Sequence, residues 1–136
     1  MSKANSNYGD LTDLQLAILD ILWERQEATV SDVHDVLLEE RGLAATTVAT
    51  ILSRLEKRGV ITHRSEGRQY VYRALVSRSE VCDTMVTALT DRLFQGDVAA
   101  LVTHLLTESD FSAGDLARVR RLIAAEADHQ EEDHAE

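Results

Sequence analysis

The side chains best suited to engage a partner lie between Ala45 and Arg58: Thr46, Thr47, Thr50, Ser53, Arg54 and Lys57. At about 100° per residue, a helix over this stretch gathers Val48, Ile51, Leu52 and Leu55 within an arc of about 100°. The six polar residues fall on the other side, and Glu56 stands at the flank of that face. Threonine is a poor helix former, and exposed helix positions ordinarily favour Glu, Lys and Gln. The chemistry that such a face suits is duplex DNA. Threonine methyls meet thymine methyls in the major groove, hydroxyls reach phosphates or base edges, and Arg54 can grip a guanine with two hydrogen bonds. The plain alternative is a solvated face on a structural helix.

A second group follows. Val60–Arg64 and Gln69–Arg73 are rich in β-branched and aromatic residues and flank the turn residues Glu66 and Gly67. They predict a hairpin. Its basic side chains are Arg64 and Arg68, with Gln69 beside them. A wing carrying two arginines beside a duplex binds phosphate or enters the minor groove. His63 reads as a plain strand residue.

Three helices must position these groups. Thr12 with Gln15 forms a capping-box pattern, and Leu14, Ala17, Ile18, Ile21 and Leu22 follow at helical spacing as far as Gln26. Trp23 reads as core. Thr29 with Asp32 starts a second helix, buried along Val33, Val36 and Leu37, with Gly42 as its C′ residue. The third runs from Ala45 to Arg58 and stops at Gly59. Helix, helix, helix and hairpin in that order make a winged helix-turn-helix over residues 11–75.

Three more amphipathic helices are predicted beyond it, started by Ser77 with Glu80, by Asp97, and by Ser112 with Asp115. They are too short to enclose a core, so two copies are expected to share one. The expected dimer residues are Val81, Met85, Leu89, Leu93, Phe94, Val98, Leu101, Val102, Leu105, Leu116, Val119 and Ile123. The fold class is mainly α with a small β-hairpin. Residues 1–10 are expected to form a loose arm, 76–127 the dimerisation module and 128–136 a disordered acidic tail.

Composition narrows the function. Of 136 residues, 44% are hydrophobic and 28% charged, a globular balance. No apolar run approaches the ~20 residues of a membrane span, and MSKANSNYGD has no apolar core of a secretory signal. A cytoplasmic protein is expected. The single cysteine, Cys82, allows neither an intramolecular disulfide nor a Cys-rich zinc site, and is expected to be a small buried hydrophobe. His129 and His134 lie among acids and read as part of a solubilising tail. No nucleophile with an assignable base, no Gly-rich phosphate loop and no H-E-x-x-H occurs, so no enzyme, cofactor or metal is expected.

The net charge of −10 argues against a nucleic-acid partner until it is divided along the chain. Residues 1–40 are net −7, residues 41–75 net +5, residues 76–127 net −3 and residues 128–136 net −5. The basic stretch holds both the threonine-rich helix and the hairpin.

Leu22-Trp23-Glu24, Thr47-Val48-Ala49-Thr50-Ile51-Leu52-Ser53-Arg54-Leu55, Lys57-Arg58-Gly59 and Gly67-Arg68-Gln69-Tyr70-Val71-Tyr72 resemble the BlaI/MecI/CopY repressors. So does the run from Asp91 to Val102, and the resemblance covers roughly residues 11–125. It implies a homodimer that represses transcription from an inverted-repeat operator in double-stranded DNA, with a TACA-like half-site. It places Thr47, Thr50 and Arg54 at contact positions of a recognition helix. Thr46 stands where many relatives carry Lys, and Ala44 and Ala45 where a capping Ser and a Pro are common. The resemblance also implies a membrane sensor-protease as partner for induction. The Asn-Phe bond cleaved in the β-lactam branch is matched here by His104-Leu105, so cleavage is not carried over. One cysteine cannot supply the paired C-x-C motifs of the copper branch. Two other readings remain open at this point. One is a winged helix used for protein docking, and the other a ligand-sensing repressor of another winged-helix family.

Overall fold

The computed structural model describes residues 8–108 and 110–134, the side chains of 129–134 excepted. Six helices and three short strands follow in the order α1 (Asp13–Arg25), β1 (Ala28–Thr29), α2 (Val30–Arg41), α3 (Ala45–Lys57), β2 (Ile61–Glu66), β3 (Gln69–Ala74), α4 (Arg78–Phe94), α5 (Val98–Glu108) and α6 (Ala113–His134). The sheet is antiparallel in the order β1-β3-β2.

Side-chain caps mark the helix starts. Thr12 Oγ1 accepts from the Gln15 N–H at 3.2 Å, and Gln15 Oε1 accepts from the Thr12 N–H at 3.0 Å. Thr29 with Asp32, Ser77 with Glu80 and Ser112 with Asp115 repeat this exchange. Each cap satisfies donors that the first turn leaves open, worth about 0.5–2 kcal/mol. At the start of α3, Ala44 has no side chain to give, so that helix is held by packing.

The packing comes from three converging stripes: Ile18, Leu19 and Leu22 of α1, Val33 and Leu37 of α2, and Val48, Leu52 and Leu55 of α3. Val60, Ile61 and Tyr72 close the core from the sheet side. Each fully buried leucine contributes about 1.5–3 kcal/mol by leaving water. Tyr8 and Leu11 join this cluster. The expected loose arm 1–10 therefore gives way to ordered chain by Tyr8, whose ring finds apolar neighbours. Residues 1–7 lie outside those described.

The first compact unit runs to Leu89, inside α4. Val81 is only 2% exposed, and Met85 packs against the same core. These two residues, expected in the dimer module, instead close the winged helix-turn-helix. The apolar arc of α4 is divided: Cys82 lies about 100° round the helix from Val81 and is exposed. The expectation of a buried thiol is corrected accordingly.

The second unit runs from Thr90 through α5 and α6. It leaves Leu93, Val98, Val102, Leu105, Val119 and Ile123 exposed, together with Leu106 and Leu122. Phe94, Leu101 and Leu116 are half-buried, and the Phe94 ring lies 5.9 Å from that of His104. α6 does not stop at residue 127 but continues to His134, where a disordered tail was expected. The run Ala124-Ala125-Glu126-Ala127 and the later Gln130, Glu131 and Glu132 are good helix formers uninterrupted by Gly or Pro. The side chains of His129 and His134 lie outside the described residues. Among the described residues, no helix is long and apolar enough to cross a membrane.

Candidate nucleic-acid interface

Burial of Val48, Leu52 and Leu55 fixes which side of α3 faces outward. Thr46, Thr47, Thr50, Ser53, Arg54 and Lys57 are all exposed on that side, as their spacing predicts. The Thr50 hydroxyl donates to the Thr46 carbonyl at 2.9 Å. Its donor is thereby used within the helix, leaving its methyl group and oxygen lone pairs for a partner. Among the described residues, neither Arg54 nor Lys57 forms an ion pair. Glu56, the acid at the flank, is turned away from this face: it meets His63 on the wing.

The wing is the hairpin β2–β3, with His63 opposite Tyr72, Arg64 opposite Val71 and Glu66 opposite Gln69. Its loop is Gly67-Arg68, one residue later than the Glu66-Gly67 turn read from the sequence. Gly67 takes φ of +64° while Arg68 does not, the pattern of a II′ turn whose first loop position favours glycine. Arg68 thus sits at the tip, exposed and outside any ion pair among the described residues, with Gln69 exposed beside it.

Arg64 is placed differently. It pairs with Glu27 at 2.6 Å and with Glu66 at 2.8 Å. Hydrogen bonds to Glu27 and then Glu66 hold its guanidinium above its ordinary range. Arg64 ties the wing to the chain between α1 and β1, and its charge is already answered within the protein.

β1 could not be read from the sequence, because two residues carry no periodicity. It exists through its pairing with β3, Ala28 opposite Tyr72 and Thr29 opposite Val71. That pairing brings the start of α2 beside the wing. Thr29, Val30 and Ser31 line a cleft of about 280 Å³ with Arg68, Gln69 and Tyr70. The first-turn N–H groups of α2 and the cation of Arg68 are thereby gathered on one side of the molecule. Arg58, although in the basic stretch, has another task. It binds Asp10 at 2.6 Å and reaches the Gln15 side chain at 3.4 Å, fastening the chain before α1.

The penicillinase repressor family matches residues 11–125. The transcriptional regulator BlaI of Mycobacterium tuberculosis is 36% identical over 121 residues, covering 88% of this chain and 87% of that protein. The penicillinase repressor of Bacillus licheniformis is 20% identical, covering 90% and 95% respectively. Among solved structures, the DNA-binding domain of the repressor BlaI superposes with a TM-score of 0.50 at 26% identity, covering 59% of this chain and 93% of that one. A chain with this match along nearly all its length, and with this winged helix-turn-helix, belongs to the penicillinase repressor family.

Proposed function

We propose that the chain is a homodimeric transcriptional repressor that binds an inverted-repeat operator in duplex DNA. The observation that carries this reading is the exposed face of α3, which joins four hydroxyl side chains to Arg54 and Lys57 without an acid among them. The names of the relatives support it: they are transcriptional regulators and penicillinase repressors. In this reading Thr46, Thr47, Thr50, Ser53 and Arg54 enter the major groove, Lys57 approaches the backbone, and Arg68 with Gln69 reaches the flanking phosphates.

The exposed apolar surface supports a second copy. α5 buries none of its eleven residues, although Leu101, Val102, Leu105 and Leu106 lie in it. Two-fold pairing through α4, α5 and α6 would cover this surface, and a two-fold protein reads a palindromic site. Induction by a membrane sensor-protease is carried by family membership alone. Titration of the full chain into duplex from its own promoter, across salt concentrations, tests the reading. Specific binding that weakens steeply with salt is expected. Binding indifferent to DNA sequence and salt would favour a docking module instead.

A further inference from the structure

Residues 41–75 carry seven basic side chains. Five of them, Arg54, Lys57 and Arg68 included, form no ion pair among the described residues. Arg58 is taken by Asp10. Arg64 stands apart: among the described residues it is the one cation held by two carboxylates, Glu27 at 2.6 Å and Glu66 at 2.8 Å. Glu27 accepts from Nη1 and Glu66 from Nη2, so both arms of the guanidinium are occupied.

The place of this clamp in the sheet matters. Thr29 pairs with Val71 and Val71 with Arg64, so the three stand in one row on one face of the sheet. Two strand spacings put the Arg64 backbone about 10 Å from that of Thr29. Thr29 caps α2 and lines the cleft that Arg68 borders. Gln69, opposite Glu66 and two residues before Val71, lies on the same face. Arg64 is therefore a neighbour of the groups gathered for phosphate, yet its charge is turned to acids.

Fold stability does not account for the arrangement. The three side chains are 45–66% exposed, where ion pairs contribute little. Gln26, immediately before Glu27, holds φ of +73°, a conformation that side chains rarely adopt. The turn from which Glu27 reaches the wing thus costs conformational energy. A free guanidinium at this position would instead add affinity for duplex of any sequence, because phosphates repeat regardless of the bases. A non-specific complex can shift along the duplex until such a cation meets a phosphate. A complex seated by α3 in one register cannot shift, and gains less from it.

We propose that Glu27 and Glu66 determine specificity, by withholding the Arg64 guanidinium from sequence-independent phosphate contacts. The inference rests on the DNA-binding reading above.

The test uses the full chain, duplex from its own promoter and a random-sequence duplex of equal length, titrated by fluorescence anisotropy across salt concentrations. Glu27→Gln with Glu66→Gln keeps the size of both side chains and removes their charge. The double variant binds random duplex on the order of fivefold more tightly, with a salt slope steeper by about 0.9, the mark of one more phosphate neutralised. Its affinity for promoter duplex rises by much less, so discrimination narrows. The same two substitutions in an Arg64→Ala background lose most of the gain on random duplex. Three results overturn the proposal alone. One is no gain on random duplex, another a gain on promoter duplex as large or larger, and the third an undiminished gain without Arg64, which would be general loss of negative charge. An unaltered protein that binds its promoter duplex no better than random duplex overturns the DNA-binding reading and the proposal with it.

Discussion

His63 Nδ1 donates to the carboxylate of Glu56, at 2.8 Å from each oxygen, and so braces the wing against α3. The imidazole stacks on Tyr70 with ring centres 4.1 Å apart and leans on Tyr72 at 5.3 Å. Tyr70 in turn borders the cleft that holds Arg68 and the start of α2. Helix, hairpin and α2 N-terminus are thus connected through one histidine that the sequence presents as an ordinary strand residue.

Glu56→Ala removes an acid from beside the face of α3 proposed to meet DNA, and charge alone would tighten binding. The brace argues the opposite. Loss of one hydrogen bond, about 1 kcal/mol, should weaken operator binding about fivefold. Glu56→Gln keeps an acceptor for His63 and should stay close to the original affinity. Fluorescence anisotropy on labelled operator separates the two accounts: tighter binding in both variants removes the brace.

Arg54→Ala should cost about 1–3 kcal/mol in specific binding and relax the preference at one base pair. Arg54 has no carboxylate partner among the described residues, so nothing within the protein competes for it. Binding to a library of single-base operator variants is the measurement. Uniform weakening over all of them would make Arg54 a phosphate contact.

The two wing arginines should behave unequally. Arg68→Ala should lower the slope of log affinity against log salt by about one. Arg64 already answers Glu27 and Glu66, so Arg64→Ala should change the slope less. Glu27→Gln should raise DNA affinity, by releasing part of that guanidinium to phosphate. Equal slopes for the Arg64 and Arg68 variants would contradict the inequality.

The sequence discloses whatever depends on local periodicity and chain chemistry. The four side-chain caps, the buried stripe Val48–Leu52–Leu55 and the exposed polar face of α3 are all of this kind. It conceals what depends on partners distant in the chain. β1 needs β3, Arg64 needs Glu27, His63 needs Glu56, and Trp23 needs Val76. The division of α4 was hidden for a related reason. Val81, Met85, Leu89 and Leu93 share one apolar arc on a helical wheel, and only the position of the winged-helix core decides which of them it takes.

The pair Asp10–Arg58 gives a pH signature. A hydrogen bond from Arg58, reinforced by its charge, holds the Asp10 carboxyl below its ordinary value of 3.8. A carboxylate depressed on folding stabilises above its unfolded value and loses that contribution as pH falls through its folded one. Asp10→Asn should therefore lower Tm slightly at neutral pH, with the difference vanishing well below pH 3.8. The effect is small because the carboxylate is 81% exposed to screening solvent. A difference that grows towards acid pH, measured by calorimetry, would refute the assignment.

The exposed stripe on α4 makes the last prediction. Leu93 is 63% exposed and lies beyond Leu89, where the winged-helix unit ends. Leu93→Arg therefore leaves the first core intact and keeps a good helix former in place. If the stripe is the pairing surface, a buried arginine facing its symmetry mate should split the dimer. Sedimentation should then report a monomer, and operator affinity should fall on the order of a hundredfold, towards that of one half-site. Affinity for a single half-site should not change, since α3 and the wing are untouched. A variant that remains dimeric would move the pairing surface to α5 and α6 alone.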